Sequence, residues 1–290
     1  MPRPAGVPVS LVSARTRDGV VLDGIAAHPR GRRSTALLWV HGLGSTFSSG
    51  QPLIRALSAR LNAAGLGYLK LNTRGHGVVT RAGTRLAGAA FERFGESIHD
   101  IRAAMALAGA SGYRRVILAG HSTGANKVLH YMARTRDRRV AGLMLLGPVS
   151  DIAGERRRVG RRVLARRVVA AQRMARRDPE ALVPRAWGFR GAARFVSLFR
   201  PGEAEDVFQY YRPDGDWRAL GRVRVPTAVI IGGRDEYLDR RAAELVAAFE
   251  RHATLTRRFT GIIVPRASHG FRGHEAALAV QVVRWARTLG

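Results

Sequence analysis

A chain of 290 residues with no cysteine excludes a disulfide framework, a thiolate metal site and a cysteine nucleophile, yet is long enough to bury a sizeable core. An apolar fraction of 46% with 7% aromatics is that of a globular protein. The longest apolar stretch, Val140 to Val149, is too short to span a bilayer, and Met1 to Ser10 lacks the apolar segment of a secretory leader, so a soluble, cytoplasmic protein without a transmembrane segment is expected. The formal charge of +28 raises nucleic acid or an anionic surface as a partner. The basic residues are nearly all Arg, spread along the chain, and no zinc-finger spacing or RNA-binding motif accompanies them. The expectation is no specific nucleic-acid partner and, at most, weak electrostatic binding to anionic surfaces.

In chain order, Val9 to Thr16 and Val20 to His28 carry β-branched residues around the turn-forming pair Asp18-Gly19 and read as antiparallel edge strands. Short apolar runs then alternate with helical periodicity. Strand Ala36 to Val40 precedes a helix with Leu53, Leu57 and Leu61 in line. Strand Tyr68 to Leu71 precedes one with Phe94, Ile98, Ile101, Met105 and Ala108 on one face. Strand Val116 to Ala119, helix Ala125 to Arg134 and strand Val140 to Leu146 continue the rhythm. It stops for some seventy residues and resumes with strand Thr227 to Ile231, a helix carrying Leu238, Ala242, Leu245 and Phe249, strand Gly261 to Val264 and a last helix through Leu278, Val282, Trp285 and Leu289. Continuous apolar strands imply a parallel sheet covered on both faces. The reading is therefore an α/β fold, a mostly parallel, doubly wound sheet of about eight strands, with its core in residues 1–150 and 221–290. Residues 151–220, Arg-rich and aromatic without a parallel-strand signature, read as an inserted helical lid.

Gly120-His121-Ser122-Thr123-Gly124 follows an apolar strand and opens a helix, the context in which G-x-S-x-G forms a nucleophile elbow. The turn holds the serine in a strained conformation with Oγ raised above the sheet, and strand and helix pass so closely that glycine is needed at both flanks. A serine hydroxyl is a weak nucleophile and needs a base and an acid that orients it. Asp235 lies just past strand Thr227 to Ile231, and His269 just past Gly261 to Val264, each at a strand's carboxyl end, where open α/β sheets place their sites. Nδ1 of His269 would donate to Asp235 and leave Nε2 for the serine proton. Asp239 and Asp151 are competing acids. Oxyanion stabilisation would come from the backbone N–H groups of Thr123 and of Leu43, in the glycine-rich loop His41-Gly42-Leu43-Gly44. His41 precedes the serine and reads as a structural residue hydrogen-bonded behind that loop. No GxxxxGK[ST] loop and no His-Glu-x-x-His occurs, so neither a cofactor nor a metal is expected.

The pair His41-Gly42, the segment Asn72-Thr73-Arg74-Gly75-His76-Gly77, the elbow at Ser122, Asp235 and His269, in this order and at these strand ends, resemble the α/β-hydrolase superfamily over residues 20–150 and 220–290. The stretch His41 to Gly77 also resembles a bacterial esterase-like branch related to siderophore-ester hydrolases. The resemblance implies a serine hydrolase acting on a small-molecule carboxylic ester or related acyl compound through an acyl-enzyme. It also implies that the Arg74 to Gly77 turn shapes the pocket floor; where the superfamily usually has Asp, this chain has Asn72. A ligand-binding protein that kept the pocket without useful catalysis is an alternative, as are cofactor-free acyl transfer and perhydrolysis.

The segment Glu155 to Arg177 carries ten arginines. Val159, Val163, Ala170 and Met174 recur at near-helical spacing, so one face can pack while arginines cover the rest. That face is either a solvated surface or a patch that draws an anionic substrate or acidic lipid surface toward Ser122.

Overall fold

The computed structural model describes residues 6–31 and 33–289; the leader reading of Met1 to Ser10 falls partly outside them. Strands β1 (Ser10–Arg15) and β2 (Val21–Ala27) form the expected hairpin, closed by the Thr16 N–H on Val20 O at 2.8 Å, with Gly19 at φ 86°. Then come β3 (Thr35–Val40), α1 (Gln51–Ala63) and β4 (Gly67–Leu71). A small hairpin, β5 (Thr80–Ala82) with β6 (Arg85–Ala87), was not legible in the sequence. Phe94 belongs to a 3-10 turn, Phe94–Glu96, that leads into α2 (Ser97–Ala110). Next are β7 (Arg115–His121), α3 (Thr123–Thr135) and β8 (Val140–Leu146).

Residues 151–220 hold α4 (Asp151–Val159), α5 (Arg161–Arg177), a 3-10 turn at Arg185–Trp187, α6 (Ala192–Phe199) and α7 (Arg218–Gly221). The chain closes with β9 (Thr227–Gly232), α8 (Ala242–His252), β10 (Phe259–Val264) and α9 (Glu275–Arg287).

The main sheet has eight strands in the order β1-β2-β4-β3-β7-β8-β9-β10. From β4 to β10 every pairing is parallel, and β2 and β1 add an antiparallel edge. Because side chains alternate along a strand, each central strand feeds two cores. Leu38, Leu118, Leu145 and Val229 pack on one face with Ile101 of α2, Val128 of α3 and Leu245 of α8. Leu37, Ile117, Met144 and Ile230 pack on the other with Leu57 and Leu61 of α1 and Val282 and Trp285 of α9. This is the doubly wound α/β architecture expected from the sequence.

The inserted segment packs in two ways. Ile152, Leu164, Val168, Ala171, Phe195 and Phe199 build a separate apolar cluster. By contrast Phe208, Trp217 and Leu220 join the main core beside α8, where Trp217 stacks on His252 with ring centroids 4.4 Å apart. Among the described residues no helix is long and apolar enough to cross a membrane.

The Arg-rich stretch corrects the single helical face expected for it. Gly160, at φ 82° and ψ 148°, ends α4 and restarts the chain as α5, so the two helices have independent phases. The buried face of α5 is Leu164, Val168 and Ala171, while Val163, Ala170 and Met174 lie half-buried at its border and Val159 is half-buried at the end of α4.

Candidate active site

Ser122 sits between β7 and α3 at φ 56° and ψ −128°, a conformation that L-residues rarely adopt. The flanking glycines show why the turn tolerates nothing larger. A Cβ on Gly120 would lie 2.2 Å from Gly124 O, and one on Gly124 would lie 2.3 Å from Val40 O. On the opposite side, a Cβ on Gly42 would come within 2.8 Å of Ser122 Cβ. The loop after β3 is thus pressed directly against the serine.

That loop is held from behind. His41, 1% exposed, takes the Thr73 N–H on Nε2 at 3.0 Å, which leaves the ring proton on Nδ1 to donate to Gly42 O at 2.8 Å. Burial, with the nearby Lys127 charge, pushes the His41 pKa down to about 3, so the ring is a neutral strut, as its place before the serine suggested. Asn72 Oδ1 accepts from Phe47 N–H at 2.7 Å and pins the far side of the same loop. An amide oxygen suffices as the acceptor for this bond. Within the Arg74 to Gly77 turn, the Arg74 side chain lines neither of the cavities that adjoin the loop after β3. It is buried and turned away, donating to Asp100 at 2.9 Å, Asp18 at 2.8 Å and Glu96 at 2.7 Å, and so ties the β1–β2 hairpin to the start of α2. Gly75 beside it makes room for a buried acid, since a Cβ there would lie 2.3 Å from the Glu92 carboxylate.

Asp235 and His269 meet as their positions at the strand ends imply. His269 Nδ1 lies 2.8 Å from Asp235 Oδ2, and the other oxygen, Oδ1, accepts from Tyr237 N–H at 2.9 Å. Of the competing acids, Asp239 is paired with Arg240 at 2.8 Å, and Asp151 makes no hydrogen bond to the ring. Gly147, at φ 52°, lets the end of β8 pass beneath the pair: a Cβ there would lie 3.0 Å from His269 Cε1.

Three neighbours escaped the sequence reading. His121 Nε2 donates to His269 O at 2.9 Å, Glu236 accepts from His269 N–H at 2.9 Å, and the Tyr237 ring meets the imidazole edge-on at 4.6 Å. Each lies within two residues of Ser122 or Asp235 in sequence, which was the available signal. They fix the backbone and ring of His269 from both sides. Burial first, then the His269 charge, lowers the His121 pKa to about 4, so this second imidazole is neutral at neutral pH. Among the described residues no hydrogen bond joins Ser122 Oγ to His269 Nε2 in this conformation. Such contacts commonly tighten only when substrate is bound. The N–H groups of Leu43 and Thr123 are taken by no backbone carbonyl among the described residues, and Thr123 opens α3, where the helix dipole favours negative charge.

Solved structures share this architecture. The siderophore hydrolase EstB from Aspergillus fumigatus superposes with a TM-score of 0.71 at 18% identity, covering 100% of both chains. Est1E from Butyrivibrio proteoclasticus, solved with ferulic acid, gives 0.67 at 17% identity over 96% of this chain and 98% of its own. A soluble variant of monoglyceride lipase from Saccharomyces cerevisiae, bound to a substrate analogue, gives 0.67 at 13% identity over 100% and 99%. At these identities the likeness establishes the α/β-hydrolase fold. No functionally curated protein matches the chain by sequence. From the first residue of β2 into the last turn of α9, residues 21–286, the chain matches and belongs to the family described as Protein of unknown function (DUF1749).

Proposed function

We propose that this chain is a serine hydrolase of carboxylic esters or related acyl compounds, with Ser122, His269 and Asp235 as its triad. The observation that carries the proposal is the 2.8 Å contact between Asp235 and His269 Nδ1, beside a serine held at positive φ. With Nδ1–H committed to Asp235, Nε2 is the ring's free base. In the reaction, Ser122 Oγ attacks the acyl carbon as its proton passes to Nε2, and the oxyanion accepts hydrogen bonds from Leu43 N–H and Thr123 N–H. Collapse breaks the bond to the leaving alcohol, which takes the proton from His269. Water then attacks the Ser122 ester by the same route in reverse, releasing the acid. That the neighbours named above include a siderophore hydrolase and a monoglyceride lipase supports the ester assignment, and the apolar cluster of Ile152 to Phe199 supports reading α4 to α6 as a lid.

The test is labelling by a fluorophosphonate, with turnover measured on a panel of p-nitrophenyl esters, thioesters and lactones. Wild-type protein should be labelled at Ser122, and Ser122→Ala should lose both label and about 10³-fold or more in kcat on whichever substrate is cleaved. Absence of labelling in the wild type would make the chain a ligand-binding relative instead.

A further inference from the structure

A cavity of about 460 Å³ lies between the loop after β3, the loop after β9 and the helices α4 and α6. Leu43 and Tyr237 line it, so it begins at the candidate oxyanion loop and the ring packed on His269. Val149, Leu198 and Phe199 supply apolar wall.

Six charged side chains also line it: Asp151, Glu155, Arg157, Arg158, Arg190 and Glu236. Four have partners within the protein. Arg158 donates to Glu155 at 2.8 Å and 2.6 Å. Arg157 donates to Glu236 O at 2.9 Å and to Leu238 O, and the Glu236 carboxylate accepts from His269 N–H at 2.9 Å. Two are left over. Asp151 Oδ2 is buried with no hydrogen-bond partner, and burial, then the Glu205 charge, raises its pKa to about 7. The Arg190 guanidinium rests on the Phe199 ring at 5.2 Å and makes no hydrogen bond among the described residues. Nor do the two form an ion pair with each other.

A buried polar group without a partner is costly, so an unmatched donor and an unmatched acceptor in one cavity call for a ligand that supplies both complements. The guanidinium can only donate and the carboxylate, when ionised, can only accept. A ligand carboxylate would suit Arg190 and be repelled by Asp151, and an ammonium the reverse. A zwitterion would need two full charges stripped of water. Hydroxyl groups both donate and accept, carry no charge and match the zero net charge of the pair when Asp151 is ionised.

We propose that this cavity binds a hydroxylated chain, its hydroxyls donating to Asp151 and accepting from Arg190 while its carbon skeleton lies against Leu43, Val149 and Phe199. On the hydrolase reading, on which this assignment rests for its meaning, the substrates are esters of polyols or of hydroxy acids. The binding itself is separable from catalysis.

The experiment therefore uses ethers, which no ester hydrolase cleaves. Binding of 1-O-butylglycerol to the wild-type protein is compared with that of butyl propyl ether, which has the same skeleton without hydroxyls, and with butoxyacetate and 2-butoxyethylammonium. The glyceryl ether should bind about tenfold more tightly than each of the other three, and Asp151→Ala and Arg190→Met should each cut its advantage over the plain ether by at least about threefold. Equal binding of the plain ether, tighter binding of either charged ether, or an advantage that survives both substitutions would overturn the assignment. The wild-type comparison decides the matter even if a variant folds poorly. Its failure would leave fluorophosphonate labelling of Ser122, and so the hydrolase reading, unaffected.

Discussion

Asp151 opens α4 directly after the N-cap Ser150, whose Oγ accepts from Ala153 N–H at 3.3 Å. The helix start favours a carboxylate there, yet burial dominates and raises the pKa to about 7, with the Glu205 charge adding to it and Arg194, Arg190 and His269 pulling the other way. The consequence for stability follows from linkage. Below the ordinary value of 3.8 the acid is protonated folded or unfolded, and it costs nothing as a charge. As pH rises from there to about 7, the unfolded chain releases the proton more readily than the folded one, so stability falls; above about 7 the penalty is complete. Asp151→Asn should therefore stabilise the protein at pH 8, by about 1–3 kcal/mol, and the gain should shrink toward zero near pH 4.5. Thermal unfolding of both proteins across that range checks it. A gain independent of pH would mean the carboxylate is not the source of the cost. A buried carboxylate that destabilises the fold at neutral pH and has no hydrogen-bond partner on Oδ2 is not explained by packing.

At the scale of elements, a buried ionic chain fastens the inserted segment to α3. Lys127 of α3 meets Glu92 at 2.6 Å, Glu92 meets Arg194 of α6 at 3.5 Å, and Arg194 also pairs with Glu205. All four are at most 2% exposed. Lys127 has Thr73 Oγ1 at 3.1 Å as its other partner, so Glu92 is its counter-charge. Glu92→Ala should cost about 3–5 kcal/mol, because it leaves a buried ammonium without an acid; denaturant unfolding reads it, and a loss below about 1 kcal/mol would show that water reaches Lys127. None of this was legible in the sequence, where a single lysine on a helix looks solvated. Local patterns served better. Strand β8 coincides with the run Val140 to Leu146, because a strand buried on both faces is apolar throughout, and the elbow was legible because its glycines, strand and helix are contiguous. The helical face of the Arg-rich stretch was misread for a physical reason: Val159, Val163, Leu164, Val168 and Val169 fit more than one helical phase, and Gly160 resets the phase between them. The Asp151 and Arg190 juxtaposition is invisible for another, since tertiary packing joins residues on either side of α5.

For the molecule as a whole, the charge of +28 is sharpened by where the acids sit. Asp100, Glu92 and Glu205 are buried in ionic clusters, and Asp18 and Glu96 are drawn into the Arg74 cluster, so the arginines dominate the surface. Such a surface attracts anions over a Debye length of about 8 Å at physiological ionic strength, and it does so through many charges at once. The arginines of α5 have no privileged position in that field. Arg161, Arg162 and Arg166 are exposed, Arg167 rests over Trp187 at 5.5 Å, and no α5 residue lines the cavity beside Leu43 and Tyr237. For an ester bearing a carboxylate, kcat/KM should fall as salt rises, relative to a matched neutral ester and whatever its absolute rate. Replacing Arg161, Arg162 and Arg166 together with Gln removes three of the 28 net charges and should change the anionic ester's rate by less than about twofold, leaving its salt dependence largely intact. The opposite result, a large loss confined to the anionic ester with its salt dependence abolished, would make α5 the steering face and its arginines part of substrate capture rather than a solvated surface.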